Sequence, residues 1–321
     1  MPTFTVTNFL QTLVTSVSMG SLYALIALGY TMVYGILKFI NFAHSDVVVL
    51  GAWFSYVFAV KTLPAMGIPP DQATWWAGGL VLIMAMAACA AIGFVIERAA
   101  YKPMRKAPRL NVLITAIGIS LLLQNTGQLN FVFGARPAGM PALVPTTPWS
   151  IGGTGEPGSF GVKINPVDVI ITLTAVALMV ALQVLVYRTK LGSAMRAVSH
   201  SIPNAALMGI NVNFVISFTF VLGAALAAAA GFLYAIKYNL QQTAHPSWVM
   251  LGLTAFVAAV VGGIGNIRGA VLGAYLIAAV QQFGSLYISS ELRDVYVFAV
   301  LIAVLLLKPE GLLGKVTREK V

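Results

Sequence analysis

Residues 76–97 read WAGGLVLIMAMAACAAIGFVIE, and the first charged side chain in this stretch is Glu97. A run of roughly 20 apolar residues is long enough to cross a bilayer as a helix. Eight further apolar runs lie at 10–34, 44–61, 111–133, 167–187, 213–236, 248–264, 269–288 and 289–307. Their length and continuity favour helices over the alternating segments of a membrane barrel. We therefore predict an all-α protein, a single transmembrane helical bundle over 1–321 with about eight to ten spans.

The composition of the whole chain indicates the same class. Of 321 residues, 59% are hydrophobic and 9% are charged, and the mean hydropathy is +0.89. Soluble domains carry about 25% charged residues, which excludes a soluble enzyme. The net charge of +10 could suit nucleic acid, but the basic residues lie in short loops between apolar runs. There they act as topology signals, so we expect the lipid bilayer as a partner and no nucleic acid.

The distribution of Lys and Arg predicts how the chain is oriented. One set of loops, including 98–110, 188–212 and the C-terminal tail, carries 14 Lys and Arg, and the other set carries five. The side richer in basic residues is normally the cytoplasm. The C-terminus is therefore predicted in the cytoplasm and, with nine spans, the N-terminus outside. The Gly- and Pro-rich segment 134–166 is then an outer loop, too short for a separate domain.

The residue types that catalysis or metal binding needs are scattered. His44, His200 and His245 fall in separate segments, and no HExxH, GxSxG or P-loop pattern occurs. The single cysteine, Cys89, can form neither an internal disulfide nor a Cys-only metal site. We predict no catalytic residue, no metal and no cofactor on this chain, which leaves a membrane enzyme as the weaker hypothesis.

The segment GILKFINFAHSD at 35–46 joins the first two apolar runs. Ionisable groups at membrane depth are costly and often functional, and a broken helix here would border a transport path. The alternative is a polar turn at the surface, in which Ser45 or Asp46 caps the next helix. The candidates to line such a path are Asn41, His44 and Asp46, which lie with Lys38 within nine positions of this segment.

The fourth run carries three further polar side chains, Gln124, Asn125 and Gln128. Polar groups inside a membrane can mark a substrate path, so these three are candidates to line one. They could equally form hydrogen bonds to neighbouring helices within the bundle.

A second unusual segment is 188–212. Pro203 can open a short helix at its first position, and Gly209 can close it in the left-handed conformation. Such a helix would expose Leu207 and Met208. An exposed apolar tip predicts contact with a partner protein, or a helix that lies on the membrane surface.

Six motifs in chain order resemble the branched-chain amino acid ABC permeases of the LivH/LivM type. One departure from the family pattern is Ser45, because relatives usually have Gly at this position. The motifs cover essentially the whole chain: GSLYALIALGYTMVYG at 20–35, INFAH at 40–44, LGSAMRA at 191–197, ALMGIN at 206–211, VGGIGNIRGA at 261–270 and KPEGLL at 308–313.

The resemblance implies an importer subunit in a bacterial inner membrane. It also implies four partners: a second, homologous permease, two ATP-binding cassette subunits and a periplasmic substrate-binding protein. ATP would bind only to the partner subunits. The segment 188–212 would be the coupling loop, and the residues expected to serve the ATPase contact are Gly192, Arg196, Ala205, Leu207, Met208 and Gly209.

Two alternatives remain open at this stage. A urea or short-amide permease of the same superfamily would share the fold and carry a different cargo. A self-sufficient secondary transporter or channel would work without ATPases and usually needs intramembrane charges for ion coupling. Few such charges occur here, because Lys38, Asp46 and Arg268 all fall near the predicted ends of spans.

Overall fold

The computed structural model describes residues 5–69, 75–105, 107–134, 136, 138–145, 147–151, 161–238, 241–242 and 247–314. Helices occupy all nine predicted runs, and two shorter helices lie within 188–212. The helices are α1 (Val6–Leu37), α2 (His44–Val57), α3 (Trp75–Ile96), α4 (Arg109–Gly127), α5 (Pro166–Arg188), α6 (Lys190–His200), α7 (Ile202–Leu207), α8 (Val212–Tyr238), α9 (Ser247–Gly262), α10 (Ile267–Tyr287) and α11 (Arg293–Leu307).

Two of these helices continue beyond their α-helical part through a π-helical turn. For α2 the turn is Phe58–Thr62, and it extends the helix to Ala65. For α3 the turn is Glu97–Tyr101, and it extends the helix to Met104. π-helical turns occur frequently at functional sites. The turn in α3 carries two buried polar side chains and is central to the site described below.

Seven helices in the described part of the chain are long and apolar enough to cross a membrane. The predicted eight to ten spans also included α9 and α11, which have 16 and 15 residues. At 1.5 Å per residue they run about 22–24 Å, short of a hydrocarbon core of about 30 Å. After α9 the chain turns at Gly263 and Gly265, both with positive φ. This turn, which L side chains rarely tolerate, sets the end of α9.

The fourth run is helical over a shorter stretch than predicted. Its helix ends at Gly127, and the following residues form turns instead of continuing to 133. Gly134, with φ 82°, donates its N–H to Leu129 O (3.0 Å) and closes these turns. Gln128 therefore lies just outside α4, not on the helix.

Four short strands accompany the helices in the part of the chain that the structure describes. β1 (Ala138–Gly139) pairs antiparallel with β4 (Gln241–Gln242), and β2 (Trp149–Ile151) pairs antiparallel with β3 (Val162–Ile164). The predicted outer loop 134–166 is thus partly ordered as β-structure. Residues 152–160 of that loop, His245 and the tail 315–321 lie outside the described residues.

The core of the bundle is built around α1 and α8. α1 is buried on all sides from Ser18 to Val33. Small residues allow two other helices to approach α8 closely. A Cβ at Gly231 of α8 would fall on Val48 O of α2, and a Cβ at Gly93 of α3 would fall on the Ala224 side chain of α8, 2.5 Å away. Close approach through small residues is the usual means of helix packing in membranes.

The connections between helices lie at two ends of the bundle, which their contacts identify. At one end, which we call the link end, Leu312 N–H donates to Val261 O (2.8 Å). At the other, the strand end, the Gln11 amide donates to Lys163 O (3.0 Å) and β1 pairs with β4. The link end gathers the connections 38–43, 97–105, 188–212, 263–266 and 308–314. These are the connections rich in Lys and Arg, although which end faces the cytoplasm stays a prediction.

Candidate transport path and coupling surface

Residues 38–43, which we call the link, interrupt the helical structure between α1 and α2. α1 ends where Lys38 takes a left-handed conformation (φ 57°) and donates its N–H to Tyr34 O (2.9 Å). Such a φ is uncommon for a residue with a side chain. The next helix is preceded by Ala43, which makes no side-chain cap, so the alternative of a surface turn capped by Ser45 or Asp46 is wrong. The polar side chains of this region are buried instead: Asn41, His44, Ser45 and Asp46.

Asn41 connects the link to α3 through a hydrogen bond. Its Oδ1 accepts a hydrogen bond from the hydroxyl of Tyr101 (2.5 Å), which lies in the π-helical turn. The Tyr101 ring also stacks on Phe39 of the link and contacts Phe220 of α8, at centroid distances of 5.2 and 5.1 Å. One aromatic side chain therefore joins the link to two other helices.

His44, the first residue of α2, packs against α1. Its ring meets Tyr30 edge-on at 4.5 Å and lies so close to Gly29 that a Cβ there would fall on the imidazole. Nε2 has no hydrogen-bond partner among the described residues. The ring lines a cavity of about 10 Å³ together with Asn41. A cavity of this size holds about one water molecule, which is the kind of partner that Nε2 lacks.

Asp46 links α2 to α4. One carboxylate oxygen, Oδ1, accepts from Gln124 Nε2 (2.9 Å), which also donates to Ser120 Oγ (3.0 Å). The other oxygen, Oδ2, has no partner among the described residues. The preceding residue, Ser45, bonds the hydroxyl of Tyr30 (2.8 Å). The structure therefore brings Asp46 and Gln124 together, as two candidates for one polar cluster.

Two candidates do not join this cluster. Asn125 is exposed and donates to Leu121 O of its own helix (2.7 Å). Gln128 is exposed beyond the end of α4. Both lie on the outer side of α4, so they could face a path only if that path ran between this chain and a neighbour.

In the 188–212 segment, Gly192 and Arg196 hold the loop in place. Thr189 caps α6 by accepting from Gly192 N–H (3.0 Å), and a Cβ at Gly192 would fall on the carbonyls that end α5. Arg196 donates to one of those carbonyls, Val186 O, and lies over the Tyr187 ring. Cationic donors commonly satisfy the free carbonyls at a helix C-terminus. Both residues therefore support the loop, and because Gly192 is buried while Arg196 is exposed, only Arg196 could also touch a partner; their part in the ATPase contact stays a prediction.

The tip of the segment is the short helix α7. Ser201 caps it through Asn204 N–H (3.3 Å), so the helix begins at Ile202 and not at Pro203. Gly209, with φ 78°, ends it as the sequence predicts. Ala205 is buried, whereas Leu207 and Met208 are 86% and 82% exposed. We call these two side chains the apolar tip.

Sequence reasoning missed a buried ion pair at the link end. Glu97, in the π-helical turn of α3, is fully buried and bonds Arg105, with Ser217 Oγ donating to its second oxygen (2.5 Å). Arg105 also donates to Asn213 Oδ1 near the start of α8 (2.6 Å). In the sequence, Arg105 is only one of the basic residues of the loop 98–110. The available signal is Glu97, an acidic residue at the C-terminal end of an apolar run.

A second buried pair lies at the strand end. Lys237 Nζ contacts Asp168 Oδ1 (2.6 Å) and Ser18 Oγ (2.8 Å), joining α8, α5 and α1. Asp168 is in the first turn of its helix and Lys237 in the last turn of its own, where each charge suits the helix dipole. In the sequence, Lys237 is only one of the five basic residues in the second set of loops, and Asp168 is not among the predicted site residues.

Comparison with known proteins identifies the family. A family model described as "Branched-chain amino acid transport system / permease component" matches residues 12–305. The chain is 40% identical over 314 residues to the high-affinity branched-chain amino acid transport system permease protein LivH of Salmonella typhimurium, covering 98% of both chains. It is 39% identical over 319 residues to BraD of Pseudomonas aeruginosa, again covering 98% of both. The chain therefore belongs to the branched-chain amino acid transport permeases.

Proposed function

We propose that this chain is a membrane subunit of an ATP-driven importer for branched-chain amino acids in a bacterial inner membrane. It forms the translocation path with a second permease, receives cargo from a periplasmic binding protein, and is driven by two ATP-binding cassette subunits. The cargo rests on the similarity to LivH and BraD. The link end faces the cytoplasm in this proposal, because it gathers the connections rich in Lys and Arg.

The observation that carries the coupling part of this proposal is the apolar tip. Leu207 and Met208 protrude from a helix that is capped at both ends and anchored by buried Ala205. A loop held this firmly does not expose two large apolar side chains without an energetic penalty in water. A short helix presenting such a face fits the groove of a partner protein.

The apolar tip is large enough for its burial to stabilise a complex substantially. Burying two such side chains stabilises a complex by on the order of 3–6 kcal/mol. Because about 1.4 kcal/mol changes an equilibrium tenfold, losing this contact weakens assembly by a factor of about one hundred or more. The tip therefore acts as the main anchor of an ATPase subunit.

The test is capture of the ATPase subunit by the purified permease in detergent. The double variant Leu207→Asp, Met208→Asp should insert and fold normally, lose the ATPase and lose transport. Asn211→Asp is the matched control for added charge, since an aspartate there can still accept from Phe214 N–H as Asn211 does (3.1 Å). Capture at wild-type yield by the double variant would place α7 on lipid and the docking site elsewhere.

The cargo is tested by uptake of labelled leucine and labelled urea in cells that express the complete importer. Leucine uptake that requires the ATPase subunits supports the proposal. Urea uptake in its place would assign the chain to the short-amide permeases. Leucine uptake without the ATPase subunits would instead favour a self-sufficient transporter.

A further inference from the structure

Two cavities border α4: one lies between α2 and α4, and the other lies among α1, the link, the start of α2, α4 and α9. The larger, of about 150 Å³, has mostly apolar walls, and its polar lining consists of hydroxyl groups. The smaller, of about 20 Å³, is bordered by Asp46, Gln124 and Trp53. Gln124 lies between the two, because its amide bonds both Asp46 of the smaller cavity and Ser120 of the larger one.

The smaller cavity carries two buried polar groups of complementary kind. Asp46 is 3% exposed and its Oδ2 has no partner among the described residues. Trp53 is 2% exposed, and its Nε1–H also has no partner there. Buried polar groups nearly always have partners, so each such exception calls for an explanation. One acceptor and one donor are what a zwitterion with an ammonium and a carboxylate group requires.

We propose that these two cavities form a transit site for a zwitterionic amino acid with a branched apolar side chain. Asp46 Oδ2 accepts from the α-ammonium group, Trp53 Nε1–H donates to the α-carboxylate, and the alkyl side chain occupies the larger cavity. This inference rests on the proposed function and adds the residues that recognise the cargo within the membrane.

The larger cavity fits such a side chain in size and chemistry. An apolar cavity of about 150 Å³ can hold a benzene molecule, so it can hold the smaller alkyl group of leucine or valine. Phe42, Leu121, Leu253 and Phe256 provide the apolar wall. Urea has no apolar part to place there, and burial of the alkyl group is the main favourable contribution.

The position of α4 indicates where cargo would enter the site. α4 packs mainly against α2 and the π-helical turn of α3, and it forms the outer wall of both cavities. Ile117 and Leu121 of this wall are about half exposed, at 45% and 53%. An outward shift of α4 would widen the smaller cavity enough to admit the charged groups. The site would then open toward the neighbour of α4, where a second permease bounds the path.

The first experiment is cross-linking with photo-leucine, in which a diazirine replaces part of the leucine side chain. The complete importer in nanodiscs is supplied with ATP and the probe, irradiated, and analysed by peptide mass spectrometry. Adducts are expected on the α4 and α9 peptides that contain Leu121 and Leu253, and excess leucine should suppress them. Adducts confined to other helices would overturn the proposal, even if leucine uptake by the wild type had established the proposed function.

Variants test the two parts of the site separately. Asp46→Asn should reduce both labelling and leucine uptake about 10- to 100-fold, because a hydrogen bond to a charged group is lost. Assembly with the ATPase subunits should be unchanged. Leu173→Ala, an exposed leucine of α5, is the control. Wild-type labelling by Asp46→Asn would show that Oδ2 meets only water.

A change in selectivity separates recognition from a general loss of structure. Leu253→Phe narrows the larger cavity and should lower uptake of leucine more than uptake of the smaller valine. Because the binding protein is unaltered, the change in the leucine-to-valine ratio arises within the membrane. An unchanged ratio would mean that the side chain does not pass through this cavity.

Discussion

The α1–α2 link and the apolar tip of α7 depart from ordinary burial in opposite directions. In the link and the first turn of α2, Asn41, His44 and Asp46 place polar groups inside the bundle. At the tip, Leu207 and Met208 expose large apolar side chains at the link end of the bundle. Each arrangement is unfavourable for an isolated chain. In the proposals made above, cargo meets the polar groups inside the bundle, whereas the ATPase meets the apolar groups outside it.

The π-helical turn of α3 connects these two regions. Tyr101 bonds Asn41 of the link, while Glu97, one turn earlier, accepts from Ser217 of α8. Arg105 then reaches Asn213, which lies directly after the 188–212 segment. Hydrogen bonds through this turn and Arg105 therefore lie between the link and the residues that follow the 188–212 segment. Three variants test how firmly the link and the turn are held, from the largest expected effect to the smallest.

Arg105→Met should have the largest effect, because it leaves the carboxylate of Glu97 buried without its cation. Removing one partner of a buried pair costs about 3–5 kcal/mol. The free energy of unfolding, measured by SDS titration in mixed micelles, should fall by that order. The double variant Arg105→Met, Glu97→Leu should recover most of the loss, since no charge is then buried. Arg98→Met is the control, because Arg98 is an exposed charge nearby and its loss should have little effect. Equal stability of Arg105→Met and the wild type would show that the Glu97–Arg105 pair does not hold this turn.

Gly29→Ala probes how tightly His44 is held in the link region. The new Cβ would overlap the imidazole. Overpacking of this kind costs about 1–3 kcal/mol. Adding His44→Ala should restore stability by making room for the methyl group, whereas Gly79→Ala, where a Cβ meets nothing within 4 Å, should be neutral. Failure of the second substitution to restore stability would show that His44 is free to move away.

Tyr101→Phe should have the smallest effect. It removes the hydroxyl that donates to Asn41 Oδ1 and keeps the ring stacked on Phe39. Loss of one such bond costs about 1 kcal/mol. A double-mutant cycle with Asn41→Leu isolates the interaction, and we expect a coupling energy of about that size. Additive effects of the two substitutions would mean that the link and α3 are independent.

Sequence reasoning predicted the parts of this site that depend on local pattern. The break after α1, the closing glycine of α7 and the exposure of Leu207 and Met208 follow from residue types at short spacing. The pairing of Asp46 with Gln124 was only one of several possibilities, because 78 residues separate them. Asn125 adjoins Gln124 in sequence yet faces outward, since neighbouring positions on a helix point in different directions.

The sequence alone determined that this protein is a helical membrane bundle, where its helices lie, and to which family it belongs. Those properties depend on the length of apolar runs, the placement of basic residues and motifs of a few residues. Only the tertiary structure decided which polar groups are buried and which are paired. It alone placed Asp46 and Trp53 beside the smaller cavity, each with one atom that has no partner among the described residues. Burial and pairing depend on how distant helices pack, and apolar periodicity contains no information about that in a helix buried on all sides.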